Sequence, residues 1–426
     1  MEPLLLMGLF FAFLASSLHI AVAIGLAVIT FTFFYPIGNL SFIALNMYTG
    51  LYSFPLLAIP FFCLVGSIME GGGLSSRLVN VASRAVGNKT SGLAIVTILA
   101  CLFFGAISGS APATVAAIGS IMFPEMQKHG YHREFAAGLI ATAGGLGIII
   151  PPSVPMVVYG VGTQTSIGDL FLCGIIPGVI CGAFLMAVSV MIGKKRGYGG
   201  SGEKISRRET WRAVWDAKWA LALPVIILGG IYNGIFTPTE AGVVGCIYAL
   251  FVACCIYREL TFRKVVDIFV DNASVVGIIF LTFGVANSLS FLVSYTQLPA
   301  ALTALMTSIS QNKYVVLAII NVFLLIVGML MDTMSANLIF SPLLLAIVLP
   351  LGVDRVHFGI IVTINLALGF VTPPMATNLY LTSALTKVPV PDVVRESLPF
   401  IAAMIAALFL VTYIPDLSTG ILKWVR

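Results

Sequence analysis

Asp332 is the one acidic residue between Ser274 and Gly352, and it stands in the middle of an apolar block, Val315 to Leu349. A carboxylate at the centre of a membrane helix costs about 2.5–3.5 kcal/mol on insertion scales. No basic residue lies within the block to offset that cost. A bound cation would offset it. The carboxylate could also cap a helix, and both roles stay open at this point. Ser108 and Ser110 hold the corresponding place in an earlier apolar block, Gly92 to Phe123.

Each block is followed by a stretch in which no helix can run unbroken. Gly144 to Pro155 reads GGLGIIIPPSVP, and Leu368 to Met375 reads LGFVTPPM. Proline removes a backbone donor and clashes with the preceding turn. Pro151 and Pro373 stand 222 positions apart, as do Gly147 and Gly369. Gly130, Arg133 and Pro152 pair with Gly352, Arg355 and Pro374 at the same offset. Two broken helices at matching places in two halves point to a transport site near the membrane midplane.

Hard cations prefer oxygen ligands, and a broken helix frees backbone carbonyls. The reading is two sodium sites, one per half. Ser108, Ser110, Gly145, Ile148 and Pro151 form the first, and Gly328, Asp332, Thr333, Gly369 and Thr372 the second. The carbonyls around Pro151 should face Ser108 and Ser110, and those around Pro373 should face Asp332. An anionic substrate would lie between, at the freed N–H groups after Pro152 and Pro374. Thr114, Ser153, Ser335, Asn337, Thr377 and Asn378 are its candidate contacts. Each of these is also an ordinary packing residue of membrane helices. Catalysis is not expected, because HExxH and GxSxG are absent. Ser108 and Ser110 are far along the chain from His129 and His132, which lie in a charged interfacial loop.

The elements that hold these residues follow from composition. The chain has 426 residues, 59% of them hydrophobic and 9% charged, with a mean hydropathy of +1.07. Soluble domains carry about 25% charged residues, so this is a polytopic membrane protein. At ~20 apolar residues per crossing the length allows about a dozen spans. The seven cysteines lie in apolar spans with no zinc or redox spacing. Glu2 is the one charge before His19, so no cleavable signal peptide is expected. His19, with Ser16 and Ser17, marks a turn between two short helices.

The first repeat, 1–193, holds scaffold spans over 4–34, an arm over 54–89, a re-entrant hairpin over 92–123, a broken helix over 135–159 and a closing span over 170–192. A polar connection covers 37–53, and a loop 124–133. A basic linker, 194–218, precedes the second repeat, 219–426. That repeat holds scaffold spans over 219–256, an arm over 265–313 with a weakly charged segment from 297, a hairpin over 315–349, a broken helix over 359–384 and a closing span over 398–414. The linker carries Lys194, Lys195, Arg196, Lys204, Arg207, Arg208, Arg212 and Lys218 against three acids, which places it in the cytoplasm. Counting crossings from there inverts the second repeat relative to the first and puts both termini outside. The net charge of +5 is thus topological, and nucleic acid is not an expected partner.

The tip GAISGSAPATVAAIG, the segment GGLGIIIPPSVPMVVYG, the block GMLMDTMSANLIFSPLLLAIVLP and LGFVTPPMATNLYLTS together resemble the large membrane subunit of TRAP (tripartite ATP-independent periplasmic) transporters. The resemblance covers essentially the whole chain. It implies an all-α fold of the ion-transporter superfamily, with sodium as coupling ion and an elevator motion. Hairpins and broken helices would move while scaffold spans and arms stay fixed. It also implies a bacterial inner-membrane location and periplasmic termini. The partners would be a small membrane subunit on a separate chain and a periplasmic substrate-binding protein. Family substrates are organic acids; sialic acid is the first expectation and a C4-dicarboxylate the alternative. Other classes are an antiporter or channel that needs no binding protein.

Overall fold

The structure, a computed structural model, describes residues 2–16, 18–35, 40–86, 91–199 and 207–425. Ser17, Ile37, Lys89, Glu203 and Lys204 of the sequence reading lie outside the described residues. The described residues are helical throughout and carry no strand.

Helices α1 (Glu2–Ala15) and α2 (Ile20–Phe34) pack on each other across the expected turn. The segment expected as a polar connection is instead helix α3 (Leu40–Leu51). Its few polar residues are absorbed locally: the Asn46 amide donates to Phe42 O at 2.9 Å. The arm consists of α4 (Ala58–Gly71) and the amphipathic α5 (Leu74–Val86). The first hairpin pairs α6 (Gly92–Ser108) with α7 (Ala111–Lys128). Pro124 lies inside α7 rather than opening a loop, so the loop shortens to the residues before Arg133. The first broken helix is α8 (Arg133–Gly144), a 3-10 turn over Gly145–Ile148 and α9 (Val154–Thr163). The closing span α10 (Ile167–Arg196) follows, and the basic linker folds into α11 (Arg207–Asp216).

The second half opens with α12 (Lys218–Tyr232) and α13 (Pro238–Phe251), the latter started by a Thr237–Glu240 capping box. A 34-residue helix, α14 (Phe262–Tyr295), comes next. The weakly charged segment after it is helical too, α15 (Leu298–Ile309). The second hairpin pairs α16 (Lys313–Leu330) with α17 (Thr333–Val348). The second broken helix is α18 (Arg355–Gly369) and α19 (Thr377–Thr386). Then come α20 (Val390–Tyr413) and two short terminal helices, α21 (Asp416–Thr419) and α22 (Leu422–Val425).

Among the described residues seven helical stretches are long and apolar enough to cross a membrane, or eight if the bent pair α11–α12 counts as one. Shorter helices supply the first hairpin and the broken spans. They pack in two groups. In one, α4 lies on α13, and α14 on α2, α3 and α4. In the other, α8 packs on α7 and α20, α10 on α6 and α20, α16 on α18, α17 on α9, and α19 on α7 and α8. The second group therefore mixes hairpins and broken helices from both halves. At its rim Arg196 makes a bidentate ion pair with Glu396, 2.9 Å on each arm, joining the end of α10 to the start of α20. Such fork-to-fork pairing fixes geometry as well as charge.

Candidate ion and substrate site at two broken helices

In the first half the hairpin tip and the helix break touch backbone to backbone. A Cβ on Gly105 would come 2.7 Å from the Gly147 Cα and 3.2 Å from Leu146 O. A Cβ on Gly147 would collide with Thr114 Oγ1 and come 2.7 Å from Ser110 O. Only glycine permits that approach. Around Gly147 three oxygens converge. Thr114 Oγ1 donates to Ser110 O at 2.7 Å, and Ser108 Oγ lies 3.2 Å from Thr114 Oγ1 and 3.4 Å from Ser110 O. Thr114 thus stands in the first oxygen cluster, although the sequence assigned it to substrate.

The rest of this break is self-contained. Ser153 Oγ donates to Ile148 O at 2.6 Å and accepts from Met156 N, so it caps α9 while occupying the Ile148 carbonyl. Val154 N donates to Gly109 O at 3.3 Å. Gly145 lies against the Ala367 carbonyl of α18, 3.4 Å from where a Cβ would stand. Every residue from Phe135 through Gly160 is buried, Pro151 and Pro152 included.

The second half repeats the contact. A Cβ on Gly369 would come 2.6 Å from Gly328 O, and one on Gly328 would come 3.2 Å from the Gly369 Cα. Met375 N donates to Met329 O at 3.0 Å. The segment around Pro373 therefore meets the hairpin at Gly328 and Met329, not at Asp332. Asp332 accepts with one oxygen, Oδ1, from Met334 N at 3.0 Å and Ser335 N at 3.1 Å, and so caps α17. It sits 222 positions after Ser110, which caps α7 in the same way through Ala113 N. Thr333 is buried, and Thr372 Oγ1 donates back to Leu368 O at 2.7 Å.

Unlike the first, the second break is open. Asp332, Pro374, Met375 and Thr377 are exposed. Asp332 and Met375 line a groove of about 560 Å³, whose other walls include His19 at the α1–α2 turn and Thr282 of α14. The groove lies where the two packing groups meet. Helix α19 begins there after Ala376, at φ 27°, with no side-chain cap. The starts of α7, α9 and α17 are all capped by side chains. Asn378 N donates to Phe370 O at 3.0 Å and Leu379 N to Ala376 O at 2.8 Å, so the α19 start offers the open side the Thr377 N–H and the positive end of a helix dipole.

Two of the substrate candidates instead tie the halves together. Asn337 donates to Pro155 O at 2.7 Å and accepts from the Ser341 hydroxyl at 2.5 Å. Asn378 donates to Ala141 O at 3.1 Å. Asn378 Oδ1 and Ser335 Oγ are buried without a hydrogen-bond partner among the described residues. Buried polar atoms of this kind call for a partner such as water or a ligand. Asn365 stood out in the sequence as a polar residue within an apolar span, equally a substrate contact or a packing residue. The sequence reading did not single out Gly105, Met375 or the buried partners of Asn365, Asn321 and Thr412, joined to it in a chain by amide bonds of 2.8 and 3.1 Å. A second asparagine in an apolar span, Asn321, was the available signal for that chain.

Comparison with known proteins gives one answer. The family model of the tripartite ATP-independent periplasmic transporter DctM component matches residues 7–417. The isethionate TRAP transporter permease protein DctMQ of Oleidesulfovibrio alaskensis is 43% identical over 415 residues, covering 97% of this chain. This chain spans 65% of that protein's length. The C4-dicarboxylate TRAP transporter large permease protein DctM of Rhodobacter capsulatus is 37% identical over 99% of each chain. The sialic acid TRAP transporter large permease protein SiaM of Vibrio cholerae is 38% identical over 89% of each. Among solved structures, the Alcanivorax borkumensis YdaH transporter superposes with a TM-score of 0.61 at 13% identity, covering 87% of this chain and 86% of that one. Neisseria gonorrhoeae MtrF does so at 0.59 and 16%, covering 87% and 83%. These two similarities concern the fold alone. From the match over almost its whole length, with the paired hairpins and broken helices in place, this chain belongs to the DctM-component family, the large permeases of TRAP transporters.

Proposed function

We propose that the chain is the permease of a sodium-coupled importer of organic acids in a bacterial inner membrane, with its termini on the periplasmic side. The observation that carries this reading is the repeated tip-to-break contact, Gly105 on Gly147 and Gly328 on Gly369, with carbonyl and hydroxyl oxygens gathered beside it. Such oxygens suit a hard monovalent cation. Asp332 Oδ2, left over from the cap, adds a formal charge on the groove side. The substrate's anionic group would meet the open start of α19 at Thr377, within reach of cations held by the second site.

Each sodium ion entering down 100 mV supplies about 2.3 kcal/mol. With two ions, a monoanionic solute offsets one of the two charges, so the potential alone would support roughly fiftyfold accumulation before the sodium concentration gradient is counted. The two halves act as inverted repeats, and the mixed group of hairpins and broken helices moves against the α4–α13–α14 group as an elevator. A small membrane subunit and a periplasmic binding protein complete the system. Relatives are named for isethionate, C4-dicarboxylates, 2,3-diketo-L-gulonate and sialic acid, at 36–43% identity. All four are organic acids, and sialic acid remains the first expectation among them. The test is uptake into liposomes from a panel of these acids, with and without a sodium gradient and a binding protein. Uptake that persists unchanged without both would overturn the reading in favour of a channel or a self-sufficient antiporter.

A further inference from the structure

The linker helix α11 is built inside out for a helix in water. Its inward stripe continues into α12 and consists of Ala213, Ala217 and Ala220, all buried. Its outward face carries Trp211 at 69% exposure, Trp215 at 61% and, after the bend, Trp219 at 38%. Arg208 and Arg212 stand exposed beside them. Lys218 Nζ lies 3.8 Å from the Trp215 ring centroid and 5.3 Å from that of Trp219. A helix that hides alanines and displays indoles is not facing water alone. Indole rings interleaved with arginine and lysine are the composition of the membrane–water interface. The bend of 58° between α11 and the span α12 is what a helix needs to leave the bilayer and lie along its surface.

The acidic residues of α11 reach the arm from the edge of this face, where they share a groove with Arg212 and Trp215. Glu209 pairs with Arg84 at 3.6 Å and Asp216 with Arg77 at 3.7 Å. Arg77 also pairs with Glu259 at 2.7 Å and lies over the Tyr257 ring at 3.7 Å. Both carboxylates of α11 thus have an arginine partner on α5, while Arg212 and Lys218 set positive charge beside the indoles.

We propose that the outer face of α11, formed by Trp211, Arg212, Trp215, Lys218 and Trp219, binds anionic phospholipid of the leaflet on the basic-linker side. The indoles seat at headgroup depth, and Arg212 and Lys218 take the phosphate charge. Through Glu209 and Asp216 the same helix then fixes the height of arm α5 at the membrane surface. This goes beyond the transport reading and does not depend on the identity of the solute.

The chain has four tryptophans, three of them on this face, so in a Trp424→Phe protein the intrinsic fluorescence reports on the patch. The full chain is placed in nanodiscs of mixed phosphatidylcholine and phosphatidylglycerol, with one lipid or the other brominated near its headgroup. Brominated phosphatidylglycerol is expected to quench more strongly than its equal amount of brominated phosphatidylcholine. The excess should fall in high salt and by about fivefold in lipid preference for each of Arg212→Gln and Lys218→Gln. Trp211→Leu/Trp215→Leu, which keeps an apolar face, should leave the protein folded and remove most of the quenching signal. Equal quenching by the two lipids would overturn the proposal. So would quenching by aqueous acrylamide in place of bromolipid, or loss of bromolipid quenching when the small membrane subunit is added.

Discussion

The two broken helices share one architecture and differ in exposure. The first is sealed: Phe135 through Gly160 are buried, and its freed Ile148 carbonyl is taken by Ser153. The second is exposed at Pro374, Met375 and Thr377, and Met375 lines a groove with Asp332. The corresponding caps explain the difference. Ser110 is neutral and can tuck half-buried into the tip, whereas Asp332 carries a charge that is costly to remove from a polar surround. One half thus offers a closed cluster of neutral oxygens, and the other a charged, accessible one. In the transport reading the second half is where ligands arrive.

Exchanging the caps tests this directly. Ser110→Asp puts a charge into the sealed half and should cost about 2.5–3.5 kcal/mol, seen as a loss of folded yield or melting temperature in detergent. If Ser110→Asp melts like the parent protein, the first half is not sealed. The reverse change, Asp332→Ser, retains a capping side chain and should fold normally. Losing the charge should weaken sodium binding by about 1.5–3 kcal/mol, roughly 10- to 100-fold in the sodium concentration for half-maximal uptake. An unchanged sodium dependence would leave Asp332 as a cap alone.

Asn337→Leu removes the amide donor to Pro155 O and leaves the buried Ser341 hydroxyl without its Asn337 acceptor, and should cost about 1–3 kcal/mol of stability. Asn378→Leu, at the Ala141 carbonyl, should cost the same or less, because Asn378 Oδ1 is unpartnered already. A thermal melt of the two variants ranks them. The smallest stability effect is expected for Met375→Ala on the open groove, within about 0.5 kcal/mol. Its effect should appear in the apparent KM for the solute, and a large drop in melting temperature instead would mean the groove is closed.

Much of this was legible in the residues. The proline pairs and their shared offset located both breaks, and the small polar tips located both hairpins, because glycine and proline act locally. The charged linker was legible, but its helix was not: Trp211 and Trp215 declare themselves only when Ala213 and Ala217 are seen to face inward. Helix α3 was missed because Ser41, Asn46 and Thr49 looked like loop composition, while the structure satisfies two of them, Asn46 and Thr49, on the helix's own backbone. The facing of Asp332 was also hidden. Sequence order places it opposite Pro373, but the close packing of Gly328 on Gly369 fixes the crossing point several residues earlier.

The crossed amides carry a further consequence. Asn337 of the second hairpin holds the first broken helix at Pro155, and Asn378 of the second broken helix holds the first at Ala141. Under the two-ion reading, a displacement at either break is transmitted to the other in part through these two hydrogen bonds. The saturation curve for sodium should then be sigmoidal, with a Hill coefficient above one and a coupling of about 1–3 kcal/mol. Cutting both amides should flatten it toward a simple hyperbola while each half still binds its ion.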